Sequence, residues 1–387
     1  MQRLATILKQ LPILLAILSG LHTPAFAERW KIQYFFDEGR DTLVIDDLAF
    51  PTATHGIAVG TILDELSRKR PRYVALVSSD GGARWTSKEL VEHPRSIFFL
   101  NESEGWMVTD DSFWSTETSG AAWKRIAPQI KPDKKISQVP GGLITRVWFL
   151  DSKHGFAVGL QKSVYESKNG GVTWTPVAAA AQPPGDPKFT AYTHIYFEGG
   201  KAGIIYGAST PPRRDDPDLP EWMEPERAVK RRKVAMLTLD LRSTDGGTIW
   251  KSESSELFGS LSSVCLAGAD GLSIYQFDQT YDSPSEVYHM DAHAGKVTSV
   301  YRDKLRVMDC ALFKGPRAFL AAVEPPGRLN TVPIPGKVKI LSSANLTDWT
   351  EMDVDYKANA RSLIMAGPDP EHLWVATDTG MILHLLP

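Results

Sequence analysis

A short skeleton, Ser-x-Asp-x-Gly with tryptophan three positions after the glycine, recurs along this chain and constrains its fold more than any other feature. One copy reads Ser78, Asp80, Gly82, Trp85 and another Ser243, Asp245, Gly247, Trp250, while Ser167, Asn169, Gly171, Trp174 carries Asn for Asp. Worn copies end at Trp123, after Thr116, Thr118 and Gly120, and at Trp349, after Ser342, Ala344 and Leu346. These residue types suit a tight connection between antiparallel strands. An Asp or Asn side chain accepts hydrogen bonds from backbone N–H groups just ahead of it. Glycine supplies a positive φ, and the indole returns on the next strand as a wedge against a neighbouring sheet. One carboxylate per turn, spread around a ring, converges on neither a metal nor a substrate, so the repeat reads as structural.

A second repeat runs in phase with the first. An apolar run, a glycine and another apolar run align Phe50 with Gly56, Phe99 with Gly105, Phe149 with Gly155, Phe197 with Gly203 and Cys265 with Gly271. The first four phenylalanines are spaced by 49, 50 and 48 residues, a propeller-blade period. Two weaker units, 306–322 and 361–377, bring the total to seven. Trp250 and Trp349 lie 99 residues apart, so one intervening unit lacks its box. Alternating and β-branched patterning predicts four strands per unit, lettered A to D from the inside outward, with no long helical period. The last unit has only three strands before Pro387, and 29–36 reads as a fourth strand with nothing before it. The expectation is an all-β, seven-bladed β-propeller closed by its N-terminal strand, which completes the last blade and removes a sheet edge.

Residues 1–27 read as a secretory signal peptide. Arg3 and Lys9 precede an apolar segment over 11–21, and Ala25-Phe26-Ala27 is a small-x-small cleavage site. This predicts a periplasmic or secreted protein whose residues 28–387 form the propeller. Removing Arg3 and Lys9 from the 43 basic residues leaves 41 against 46 acidic ones, a net charge of about −5, which argues against non-specific nucleic-acid binding. Cys265 and Cys310 fall on inner strands of successive units. In an oxidising compartment they form either a disulfide or a pair of small buried thiols. No cofactor and no metal is implied: His289 and His293 sit four apart on a strand or turn, where they diverge. His55 and His154, in A–B turns, are expected to face solvent.

Function is constrained by topology. The B–C and D–A connections share one face, and the large insertions, 61–72, 208–233, 278–286 and 324–335, all lie between strands B and C. Long loops carry binding more often than the strands they join. The largest insertion runs from acidic to basic, with Trp222 among the acids as a candidate anchor for a partner. Arg95, Arg146, Arg306 and Arg361 lie at or just before the starts of inner strands, hence at the same mouth. Cations so placed attract a carboxylate or an acidic peptide segment.

The stretch 147–174 (Val-Trp-Phe-Leu-Asp-Ser-Lys-His-Gly-Phe-Ala-Val-Gly, then Ser-Lys-Asn-Gly-Gly-Val-Thr-Trp) carries both repeats together. It resembles the photosystem II stability and assembly factor family, Asp-box (BNR) propellers of the thylakoid lumen and periplasm. The likeness covers blades one to four well and the last three poorly. It implies a non-catalytic scaffold or assembly factor, monomeric, compatible with peripheral membrane association. Its arginine patch would engage an exported or membrane-embedded protein, and Arg95, Arg146, Arg306 and Arg361 would be the corresponding positions. Asp46 and Asp47 replace arginine in blade one, and blades four and five offer His194 and Ser262, so the patch would be incomplete. Asp boxes also occur in sialidases, which makes an exo-glycosidase the enzymatic alternative. That chemistry needs an arginine triad, a Tyr–Glu nucleophile pair and an Asp acid/base at the channel mouth; Tyr275, Tyr281 and Glu286 are the residues nearest to meeting it. A carbohydrate- or peptide-binding module of a secreted complex is the third reading.

Overall fold

The alternating apolar runs form antiparallel sheets of four principal strands each, and seven such sheets follow one another along the chain. The computed structural model describes residues 28–387 except 65, 67–68, 127–128, 131–143, 211–235, 258–259, 269, 277–284, 292–295 and 326–333. The inner strands are Asp41–Ala49, Pro94–Phe99, Ile144–Phe149, Thr190–Glu198, Ser260–Ala267, Arg306–Leu312 and Leu363–Asp369. Each packs beside the next, and the seventh packs beside the first, so the arrangement closes on itself. The fold is a seven-bladed β-propeller. Its last blade takes strands A to C from Leu363–Asp369, His372–Thr377 and Met381–Leu386, and its outer strand D from Arg29–Phe35, which pairs antiparallel with Met381–Leu386. Short parallel strands extend two blades outward: Gln129–Ile130 beside blade three and Asp353–Val354 beside Arg29–Phe35.

The turn chemistry explains the first repeat. Ser78 Oγ accepts from Gly82 N at 2.9 Å and Asp80 Oδ1 from Arg84 N at 2.9 Å; Ser167 with Gly171, and Ser243 with Gly247, repeat the first contact at 2.9 Å. Gly82, Gly171 and Gly247 sit at φ of 84°, 90° and 85°, where a Cβ would be strained. In blade two Thr116 and Thr118 do the work of Ser and Asp. Blade six departs from the register expected from Ser342 and Ala344. The accepting groups are Ser343 and Asn345, and Leu346 takes the positive φ, because this turn is one residue shorter.

The second repeat is a ring lying on a glycine. A Cβ added to Gly56, Gly105, Gly155 or Gly203 would fall 2.3–2.7 Å from the ring of Phe50, Phe99, Phe149 or Phe197 respectively, so only glycine fits. In blade five the residue opposite Gly271 is Leu266 rather than Cys265, since the A–B turn is tighter there. Cys265 thereby points to the other side of its strand and is disulfide-bonded to Cys310, tying the inner strands of blades five and six.

Indoles fill six of the seven blade interfaces. Trp85 packs on Phe50 and on Tyr34 of blade seven, Trp174 on Phe149 and on Phe113 of blade two, and Trp250 on Phe197 and on Phe156 of blade three. Trp123 lies against Phe99 and Ile57, and Trp349 against Tyr301. Blade seven has no box, yet its indole position is filled. Trp30, opposite Leu385 and fully buried, packs among Phe319, Val338 and Leu383. His55 is buried rather than solvent-facing, with Nε2 at 3.0 Å from the Ser119 carbonyl of the next blade's box turn. His154 is half-buried and pairs with Glu166 at 2.9 Å.

Candidate functional site: the insertion-bearing mouth of the channel

Six of the seven inner strands gain one extra residue near their start, where the pairing with strand B slips. The slip falls at Asp46, Arg95, Thr145, Thr193, Ser262 and Met308. Bulges of this kind re-aim the side chains that follow. The next residues, Asp47, Ser96, Arg146, His194, Ser263 and Asp309, therefore occupy one equivalent level around the axis. Ile364 stands at that level in blade seven, whose strand starts without a bulge.

Most of this polar level is consumed in holding blades together. Asp47 accepts from Ile97 N of blade two and Asp309 from Met365 N of blade seven, at 2.9 and 2.8 Å. Ser96 donates to the Thr145 carbonyl of blade three, and Ser263 donates to Asp309, both at 2.7 Å. Burial raises the pKa of both Asp47 and Asp309, partly countered by these bonds and by the Arg146 charge. Arg146 and His194 are the members left over. His194 is pushed down to about 3, by burial first and by the Arg146 charge second, so its ring is neutral at neutral pH. Its Nδ1 lies 2.8 Å from Thr193 Oγ1. Arg146 is exposed to the channel and, among the described residues, forms no ion pair. It opens on a 190 Å³ cavity lined also by Trp148, His194, Tyr196 and Val264.

The other arginines are differently placed. Arg95 Nε is 2.6 Å from Asp110, whose other oxygen is 3.3 Å from His93; His93 in turn reaches Asp46 at 3.6 Å. Arg361 Nε is 2.8 Å from Asp378, which also accepts from the Arg361 and Ser362 amides. Arg306 is half-buried and, among the described residues, forms no ion pair. All four arginines thus stand at the starts of inner strands or just before them, in blades two, three, six and seven. Two are neutralised within their own blades and two are not. The mouth is a mixed ring, acidic at blade one and cationic at blade three, rather than an unbroken basic patch.

One feature of this wall escaped the sequence. Two residues beyond the bulged level, Phe98, Trp148 and Tyr196 form an arc, with centroid separations of 4.8 Å (Phe98 to Trp148) and 5.2 Å (Trp148 to Tyr196). The same level carries Ala49, Ala311 and Ala366 in blades one, six and seven. Strand alternation from Arg146 and His194 was the available signal. Trp222 and nearly all of the 208–233 insertion lie outside the described residues. The ends of the insertions that are described, at Thr210, Gln276, Ser285, Pro325 and Ile334, all adjoin strand ends on this face. Of the residues considered for glycosidase chemistry, Tyr275 and Glu286 stand opposite each other on neighbouring strands of blade five, with Glu286 accepting from Ser299 Oγ at 2.8 Å. Tyr275 is buried, its hydroxyl 3.4 Å from Thr238 of blade four, burial raises its pKa, and Tyr281 lies outside the described residues. Among the described residues no group of three or more metal-ligating side chains occurs.

No protein-family model and no curated protein matches this chain. Solved structures do. A structure described as YCF48 bound to D1 peptide superposes with a TM-score of 0.58 at 16% identity, covering 92% of this chain and 100% of that one. YCF48 from Cyanidioschyzon merolae gives 0.57 at 13%, covering 92% and 98%. An ancestral GH74 enzyme gives 0.54 at 12%, covering 91% of this chain but 46% of the enzyme. At such identities these likenesses speak to the fold alone.

Proposed function

We propose that this protein is a non-catalytic, exported propeller that binds a segment of another exported or membrane protein at its insertion-bearing mouth, as a scaffold or assembly factor. The observation that carries the reading is Arg146, an exposed guanidinium without an ion-pair partner among the described residues, set at the channel mouth beside a neutral histidine and an aromatic arc. An anionic group docking there gains a charge-assisted and bidentate contact, and the aromatic wall accommodates an apolar neighbour of that group. The structural likeness to a propeller whose partner is a peptide supports the same mode of use, and the leader-like residues 1–27 support export.

The test is capture from envelope extract with wild-type protein and with Arg146→Glu combined with Arg306→Glu. Reversing two charges is expected to lower recovery of specific partners at least tenfold, on the scale of one or two lost charge-assisted contacts. Undiminished recovery would remove the arginines from the site. Turnover of fluorogenic aryl glycosides, abolished by substitution at the mouth, would replace the scaffold reading with an enzymatic one.

A further inference from the structure

Six of the seven blade interfaces are wedged by an indole: Trp85, Trp123, Trp174, Trp250, Trp349 and Trp30. The interface between blades four and five is not. In blade five the residue opposite the box-serine position is Val297, paired with Met290, just as Trp30 pairs with Leu385 in blade seven. Leu266 stands where phenylalanine lies in the first four blades, and Ile204 faces it from blade four. Valine and leucine do not fill a slot that in the first four blades holds an indole and a phenyl ring. The result is a cavity of 690 Å³ on the box-turn face, lined by Ile204, Tyr206, Leu266, Gly271, Met290 and Val297. Val297 is 63% exposed, whereas Trp30 and Trp174 are at most 1% exposed.

We propose that this cavity is a second binding site, which takes a planar aromatic group of indole size. The class of ligand follows from the molecule's own pattern, since the corresponding slot at every other interface is shaped around an indole. Its volume lies within the range of small-ligand pockets, about 300–1,000 Å³. The apolar walls supply the contact, and Arg242, Glu253 and Lys296 at the rim supply polar groups to orient what the ring carries. Tyr206, with its hydroxyl 3.3 Å from the Met290 sulfur, and Met290 itself form an adaptable floor. Its inner wall, Tyr196, Ile204, Tyr206 and Leu266, is shared with the smaller cavity onto which Arg146 opens, but Arg146 itself does not line it.

The experiment is ligand-observed NMR titration of the full protein with indole, with the amide-capped tripeptide Gly-Trp-Gly and with its Gly-Leu-Gly counterpart. Saturable binding of an aromatic probe, with a dissociation constant on the order of 1 mM for so small a ligand, is expected, and at least tenfold weaker binding of the leucine peptide. Preference for the tripeptide over indole would identify a partner's side chain as the natural occupant, and the reverse preference a free aromatic molecule. Val297→Trp, which supplies the occupant covalently, is expected to abolish binding without lowering Tm. Leu266→Phe, which fills the slot from the inner side, gives the same readout should Val297→Trp not fold. Arg146→Glu is expected to leave binding unchanged. Equal response to the tryptophan and leucine peptides, or aromatic binding that survives both filled variants, would overturn the proposal.

Discussion

Replacing Trp30 by alanine tests whether the ring is closed by its first strand. The side chain is fully buried, belongs to the same apolar cluster as Phe319, Val338, Ile340 and Leu383, and donates Nε1 to Met352 Sδ at 3.4 Å. Truncating a buried aromatic costs about 3–5 kcal/mol, lost transfer and a residual cavity together. An unfolding entropy of about 2.1 cal/mol/K per residue gives roughly 0.76 kcal/mol/K for a cooperative unit of about 360 residues, so a 4 kcal/mol loss lowers Tm by about 5 °C. Phe35, on the same strand but 54% exposed, is the control; its alanine variant is expected within about 0.5 kcal/mol of wild type, a shift under about 1 °C. Thermal melts followed by circular dichroism measure both, and hydrogen exchange localises the effect. Amides of Met381–Leu386 should lose protection in Trp30→Ala and keep it in Phe35→Ala. Equal Tm values for the two variants would show that the strand is an appendage and the closure argument wrong.

Two further outcomes follow from the same geometry. Ser243→Ala leaves the Gly247 amide without its acceptor and should destabilise the protein by about 1–3 kcal/mol in urea titration, whereas Ser254→Ala on the exposed outer strand of that blade should be near neutral. Burial raises Asp47 and Asp309, so the folded state holds their protons to higher pH than the unfolded chain does. Their contribution to stability therefore falls as pH rises from about 4, the ordinary carboxylate value, through the folded-state values. Comparing wild type with Asp47→Asn and Asp309→Asn in urea titrations across that window should show the loss reduced in the variants; parallel curves would refute it.

How much of this was legible in the sequence follows from how each position is held. Blades one to four could be read because ring and glycine are sequence neighbours whose contact is obligatory, as the approach of a Gly155 Cβ to Phe149 shows. Blade five was misaligned by one residue because its shorter A–B turn moves Leu266, not Cys265, opposite Gly271. Blade six slipped for a similar reason, a shortened box turn. Trp30 was readable as part of a closing strand, but its equivalence to the box tryptophans needed the pairing with Leu385. At the mouth, chain topology alone placed the arginines on the insertion-bearing face. What neutralises them was not readable, since Asp110 and Asp378 approach from separate connections and local sequence does not encode that pairing. The burial of His55 escaped for the same reason, its acceptor being 64 residues away.

The pairing of Trp30 with Leu385 has a temporal side as well. Among the propeller strands Arg29–Phe35 is made ahead of the others and its partner Met381–Leu386 after them, so it waits unpaired while six sheets are made. A chain with this wiring closes its ring late, and an edge left waiting is one that other polypeptides can reach before the circle is complete.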